Sequence, residues 1–347
     1  MKIGEYYKIP WGIRIKEVED LKPGMGEFIV AVKASGICSS DVKMIKRGHP
    51  LLDLYGLPFI GGHEFSGEVT ELGQGNKFFH EGDRVVVSWL NPCLECFYCK
   101  KSLYQFCLEA KNSLIQPAGF SGMVKIPSLH QRTRVYKFSN KINYEQAAMT
   151  EPLACALNGM SIAGLKIGDK VAILGMGFMG LLNLQLAKIG GASQVIVVDS
   201  IESRLNLAIE LGATDIINFK KDDVTEKVKN LTGGYGADIV IEAVGHIEAY
   251  KQAVQLGRKG STVLFFGGLP SGQNLDIDPN IIHYNQISLK GSYSYTPQTF
   301  QKALELIQEG IVDVSKLITH HYSLDNLKDA IIKASETDSL KVMINSF

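Results

Sequence analysis

Residues 171–199, VAILGMGFMGLLNLQLAKIGGASQVIVVD, leave few folds open to this chain. A short β-type apolar run meets three glycines, continues into a long apolar helical segment, and ends in a second β-branched run closed by Asp199. That order is one β-α-β unit. Gly175, Gly177 and Gly180 make G-x-G-x-x-G: the first permits a tight turn, the second lets a pyrophosphate approach the backbone, and the third lets helix pack on strand. The helix opening around Phe178 and Met179 offers free N–H groups and a positive dipole end to phosphates. Asp199 follows about 20 residues further on, at the carboxyl end of the second strand, where an acid accepts ribose hydroxyl protons. Glycines also mark ordinary turns, so the motif alone is weak. Strand, helix, spacing and terminal acid coincide here, and they predict a dinucleotide site at Gly175, Gly177, Phe178, Met179, Gly180 and Asp199, with Arg204 nearby. An acid at that position with Ser200 and Ile201 after it predicts NAD over NADP.

The rest of the chain extends this unit. Helical and strand patterns alternate from Glu202 to Lys290, with strands expected at 215–218, 237–244, 261–267 and 287–290, which with the first two make the six of a doubly wound sheet. Before it, alternating strands and glycine turns (27–36, 60–69, 82–87) predict a β-rich domain. Lys plus Arg equals Asp plus Glu at 36 each, without a basic run, which speaks against nucleic acid as partner. The first twenty residues are too charged for a signal peptide and no stretch reaches membrane-spanning length, so no membrane partner and a cytoplasmic location are expected.

Four of six cysteines fall in one segment, Cys93, Cys96, Cys99 and Cys107, as C-x2-C-x2-C-x7-C. Four thiolates at this spacing fold around one tetrahedral Zn2+ with no position open to substrate. An iron–sulfur cluster is the competing reading, opposed by the x7 gap and the missing Cys-Pro. Disulfides are disfavoured in a reducing compartment. Cys38, His63 and Glu64 each sit at a glycine-flanked turn beside a strand, where a rigid sheet can aim donors into a cleft. Taken singly, each is unremarkable, and a lone histidine beside a strand is more often a structural residue than a ligand; together they point to a site. Glu151 precedes Pro152 at a predicted helix start, where an acid is favoured by the dipole. Cys155 lies in an apolar helical stretch and reads as a small packing residue.

GICSSD (36–41), GGHEFSG (61–67), GDRV (82–85), the four-cysteine lobe, EPLA (151–154) and GMGFMG (175–180) occur in the order found in zinc-dependent medium-chain dehydrogenases/reductases. The chain resembles that superfamily over almost its whole length, most of all its polyol and threonine dehydrogenases, which share the Glu-Pro pair. The resemblance implies an α/β protein: a GroES-like β-rich catalytic domain, 1–150 and 291–347, split by a Rossmann NAD-binding domain, 151–290. It implies a second, catalytic Zn2+ held by Cys38, His63 and a carboxylate, with both Glu64 and Glu151 as candidates. Ser40 is implied as the group that passes the alcohol proton on. The reaction implied is hydride transfer from a secondary hydroxyl of a small polyol or sugar-like substrate to NAD, in a homodimer or homotetramer. Threonine oxidation is the nearest alternative activity, general secondary-alcohol oxidation another, a zinc-free quinone or enoyl reductase a third. A dinucleotide-sensing protein without turnover is the non-enzymatic one. The chain departs from relatives at Lys43, where many have a relay histidine, and at Ser294-Tyr295, where sorbitol dehydrogenases carry Arg-Tyr.

Overall fold

The computed structural model describes residues 1–48, 52, 56–109, 115, 117–129 and 131–347. Its strands begin with β1 (Lys2–Lys8), β2 (Gly12–Glu17), β3 (Phe28–Gly36), β4 (Glu64–Leu72), β5 (Arg84–Val87), β6 (Met123–Ile126) and β7 (Val135–Lys137). The second series is β8 (Lys170–Leu174), β9 (Gln194–Asp199), β10 (Asp215–Asn218), β11 (Ala237–Glu242), β12 (Gly257–Phe265) and β13 (Ser288–Gly291). The last two are β14 (Ile318–Ser323) and β15 (Lys341–Ser346). The chain forms two compact units, Met1–Ala154 with Tyr295–Phe347, and Cys155–Ser294. The helix Thr150–Ala163 runs through the first junction, so Glu151 belongs to the β-rich unit.

The first unit is built on a sheet of order β14-β15-β3-β4-β5-β7, with β6 also paired to β3, and β1 and β2 form a separate antiparallel pair. Alternation in β3 sends Phe28, Val30 and Val32 into a core with Phe65, Val69, Val85 and Val87 from the neighbouring strands. Each such side chain contributes about 1.5–3 kcal/mol by leaving water. One register positions the candidate ligands. Gly36 pairs with Glu64 in the antiparallel β3–β4 ladder, while Met343 of β15 pairs with Gly36 from the other side.

The second unit has strand order β10-β9-β8-β11-β12-β13, all parallel, the doubly wound arrangement expected from the sequence. Its strands carry near-continuous apolar runs (Ala172, Leu174, Ile196, Val198, Val240, Val263) because helices cover them. Strand order reverses between β8 and β11, and the crevice at such a reversal is where ligands bind in sheets of this kind. The strand expected over 237–244 stops at Glu242, whose carboxylate accepts the N–H groups of Val244 (2.9 Å) and Gly245 (2.8 Å) and so turns the chain. Among the described residues no helix is long and apolar enough to cross a membrane.

Candidate active site and cofactor cleft

Strand pairing assembles the first cluster. Cys38 comes two residues after Gly36, His63 one residue before Glu64, and the Gly36–Glu64 pair holds the two segments side by side. A ligand atom from each of Cys38, His63 and Glu64 lies within 4.8 Å of the others. The absence of a side chain at Gly36 leaves the space that Glu64 Oε2 occupies, since a Cβ there would meet that oxygen. Cys38 is the N-cap of the helix Ser39–Arg47: its sulfur accepts the Ser40 N–H at 3.5 Å, and Asp41 Oδ2 accepts the Cys38 N–H at 3.0 Å, a reciprocal capping box that fixes the thiol.

Glu64 and Glu151 have different surroundings. Glu64 is buried and receives Lys341 Nζ on both oxygens, at 2.8 and 2.6 Å. Lys341 reaches it because β15 lies next to β3, with Val342 O accepting the Ile37 N–H at 3.0 Å. Glu151, also buried, accepts the indole N–H of Trp89 at 3.2 Å and stands outside the Cys38–His63–Glu64 group. Trp89 meets the rings of His63 (centroids 6.2 Å) and Tyr295 (6.4 Å) edge to face. Tyr295 is anchored by Ser88 Oγ at 2.9 Å and by the Leu90 N–H at 3.3 Å. Ser40 is half-buried on the first turn after Cys38.

The electrostatics arise from burial and close charge. Burial pushes the Glu151 carboxyl up to about 7, against the opposing pull of His63. Burial alone would lower His63, yet its hydrogen bond to Cys38 and the charges of Cys38, Glu151 and Asp41 hold it well above the usual imidazole range. Lys341 behaves alike: burial opposes its charge, and Glu64 foremost raises it. Asp41 is raised by burial, and Tyr6 donates to it at 3.3 Å.

The second cluster is the cysteine lobe. All four sulfurs of Cys93, Cys96, Cys99 and Cys107 lie within 4.8 Å of one another, and none forms a disulfide. Cys93 and Cys99 sulfurs are 3.9 Å apart, close to the edge of about 3.8 Å of a tetrahedron with ~2.3 Å metal–sulfur bonds. An iron–sulfur cubane would put iron and sulfide between the thiolates and spread them. Backbone N–H groups of Cys93 and Cys96 reach Cys107 and Cys93 sulfurs, each at 3.3 Å. The N–H groups of Cys99 and Leu108 pull Cys96 down to about 6, whereas burial pushes Cys99 up to about 12. A divalent cation at the centre is what lets all four ionise together.

In the second unit a cleft of about 810 Å3 opens at the carboxyl ends of the strands, lined by Leu174, Gly175, Gly177, Asp199, Arg204 and Val244 among others. Gly175 has φ +90°, which a side chain resists, and Gly180 packs so closely on the Gly175 carbonyl that a Cβ would overlap it. The helix Phe178–Ile189 starts at Gly177 with no side chain capping it. Asp199 Oδ2 accepts the Met176 N–H at 2.7 Å, and Oδ1 those of Ser200 (2.6 Å) and Ile201 (2.9 Å), so the carboxylate is pinned at the cleft wall. Phe178, Met179 and Gly180 are not lining residues.

Two family models match the chain, the alcohol dehydrogenase GroES-like domain over 24–139 and zinc-binding dehydrogenase over 179–309. Sorbitol dehydrogenase of Bacillus subtilis strain 168 is 33% identical over 320 residues, 92% of this chain and 90% of the relative. The chain belongs to the zinc-dependent medium-chain dehydrogenases/reductases. L-threonine 3-dehydrogenase of Pyrococcus furiosus is 31% identical over 342 residues, covering 97% of both chains. The solved structure of 2R,3R-butanediol dehydrogenase from Bacillus subtilis superimposes with a TM-score of 0.86 at 30% identity, covering 100% of this chain and 99% of that one. As a medium-chain dehydrogenase the protein is an oxidoreductase of the zinc alcohol and polyol type, with zinc and a nicotinamide dinucleotide as cofactors. Its β-rich unit is the GroES-like domain and its parallel sheet the Rossmann-type one. Membership removes the non-enzymatic reading.

Sequence reasoning missed Lys341, Trp89, Asp41 and Glu242. Only Asp41 had a local signal, the capping-box spacing from Cys38. The others announce nothing along the chain, because their partners are distant in sequence or lie in the backbone. Cys155 is half-buried and belongs to neither cluster.

Proposed function

We propose that the protein oxidises a secondary hydroxyl of a small polyol or sugar-like alcohol to a ketone, with NAD as hydride acceptor. The convergence of Cys38, His63 and Glu64 carries this reading, since thiolate, imidazole and carboxylate are the donor set of a zinc site that leaves room for a substrate oxygen. Cys38, His63 and one of Glu64 and Glu151 would hold the metal, and the four-cysteine lobe would hold a second in a closed, structural site. What zinc supplies at the first site is Lewis acidity, which lowers the cost of removing the hydroxyl proton.

The chain's own residues do the rest. The Asp41 capping box keeps Cys38 in place. Lys341 balances the charge of Glu64, and Trp89 holds Glu151 away from free rotation. Ser40 Oγ would accept the substrate's hydroxyl proton as it releases its own toward the nicotinamide ribose, and Lys43 stands one helical turn further along as a departure from relatives that have a relay histidine there. The sorbitol and threonine relatives support a secondary hydroxyl of a small polar substrate as the reacting group.

In the second unit the uncapped N-terminus of the helix Phe178–Ile189 would bind the pyrophosphate. Asp199 would accept the adenine ribose hydroxyls and repel a 2'-phosphate, although Arg204 shares that wall. The test is an NADH-formation screen of polyols, sugars, polyol phosphates, threonine and plain alcohols, repeated with NADP. Turnover confined to threonine or primary alcohols defeats the polyol reading, and a clear NADP preference defeats the NAD assignment.

A further inference from the structure

We propose that Glu242 is a positioning residue for dinucleotide binding, holding the turn 243–245 against the Gly175 turn at the mouth of the cleft. The inference rests on reading the cleft of the second unit as the cofactor site. Glu242 ends β11, beside β8, where the strand order reverses, and it is fully buried. Its main-chain carbonyl accepts the N–H groups of Phe266 (2.9 Å) and Gly267 (3.0 Å), the turn that leaves β12. Its side chain serves the turn that leaves β11. Oε1 accepts Val244 N–H at 2.9 Å and Gly245 N–H at 2.8 Å, while the Ala243 N–H donates to the Leu174 carbonyl at 2.9 Å.

These bonds place Val244 where it shapes the site. A Cβ at Gly175 would come within 2.7 Å of Val244 Cγ2, so the two turns are in contact, and Gly175, Ala243 and Val244 all line the cleft. Gly245 takes φ +74°, and a Cβ on Gly267 would strike the Gly245 nitrogen and come 3.0 Å from Glu242 Oε2. Both turns therefore meet without intervening side chains, directly over the carboxyl. Packing alone would ask for an apolar residue here. The carboxyl instead supplies Oε1 as an acceptor to two backbone donors, and its other oxygen, Oε2, is buried against the Gly267 turn. Burial raises the acid's pKa, and the backbone N–H groups around it oppose that rise.

The experiment uses the zinc-loaded protein and follows NADH fluorescence on titration for wild type, E242L and E242Q, with KM for the alcohol at saturating cofactor and zinc content measured alongside. E242L should weaken NADH binding about tenfold or more, the scale of losing acceptors for two buried donors, with alcohol KM and zinc content unchanged. E242Q, which keeps an oxygen for those donors, should recover most of that affinity. E242L binding NADH as tightly as wild type, or E242Q failing to recover any of the loss, overturns the proposal. If E242L does not fold, E242D replaces it: its carboxyl is drawn back by one methylene, weaker binding is expected, and unchanged binding overturns the proposal. Failure of the wild type to bind any dinucleotide would remove the cofactor reading itself, which none of the variant outcomes does.

Discussion

Lys341 Nζ lies 2.8 and 2.6 Å from the two carboxylate oxygens of Glu64, with both side chains buried and 277 positions apart in the chain. A third contact, to the Ile37 carbonyl at 3.2 Å, ties the ammonium to the backbone next to Cys38. Charges taken this far from water are tolerable only as a pair. Breaking such a pair from one side typically costs about 3–5 kcal/mol, because the remaining charge is left uncompensated. K341M should lose stability on that scale in urea unfolding of the zinc-loaded protein, and K341M combined with E64Q should regain part of it. Wild-type stability in K341M would mean that the pair does not balance the charge of Glu64.

Trp89 gives a prediction about turnover. W89F keeps an aromatic ring beside His63 and Tyr295 but removes the N–H that Glu151 accepts. A hydrogen bond to a charged group contributes about 1.5–3 kcal/mol, so kcat/KM for the best polyol should fall by between about tenfold and a hundredfold. Cofactor binding should not change. An unaltered kcat/KM would show that the indole does not position Glu151 for the reaction.

The two candidate metal clusters should part company under chelation. Four sulfur ligands in a closed lobe release a metal slowly, whereas a site open to substrate exchanges one. Brief exposure to a chelator should abolish turnover while the thermal unfolding midpoint stays in place, and C96S should lose the lobe's zinc and not the other. Simultaneous loss of activity and fold, or iron in the lobe on elemental analysis, would contradict the assignment.

Glu242 makes stability depend on pH in a stated direction. Burial raises its pKa above the ordinary 4.5, while the N–H groups of Gly245, Val244, Gly267 and His246 together pull it down by less. With the folded value above the unfolded one, the stabilising protonation is fully present below the unfolded pKa and is lost as pH rises through the folded pKa. E242Q has no proton to lose. The difference in unfolding free energy between E242Q and wild type should therefore move in favour of the variant from about pH 4 upward. A difference that does not vary with pH would show that the folded carboxyl titrates like a free one.

The sequence by itself determined whatever depends on neighbours along the chain. The β8 turn, the glycines and Asp199 lie within one β-α-β unit, and the four cysteines lie within one short loop, so spacing alone specified geometry. Apolar runs and their helices likewise announced the doubly wound sheet. Cys38, His63 and Glu64 were legible only through resemblance, because their meeting depends on the Gly36–Glu64 register, which no local pattern encodes. Tertiary structure alone decided how the two candidate carboxylates differ. Glu64 meets Lys341 because a strand from the far end of the chain lies beside β3, and Glu151 meets an indole from the segment just after β5. Glu242 was hidden for a related reason: its partners are backbone N–H groups, present at every residue but proline, and only the fold selects which of them a buried acid will hold.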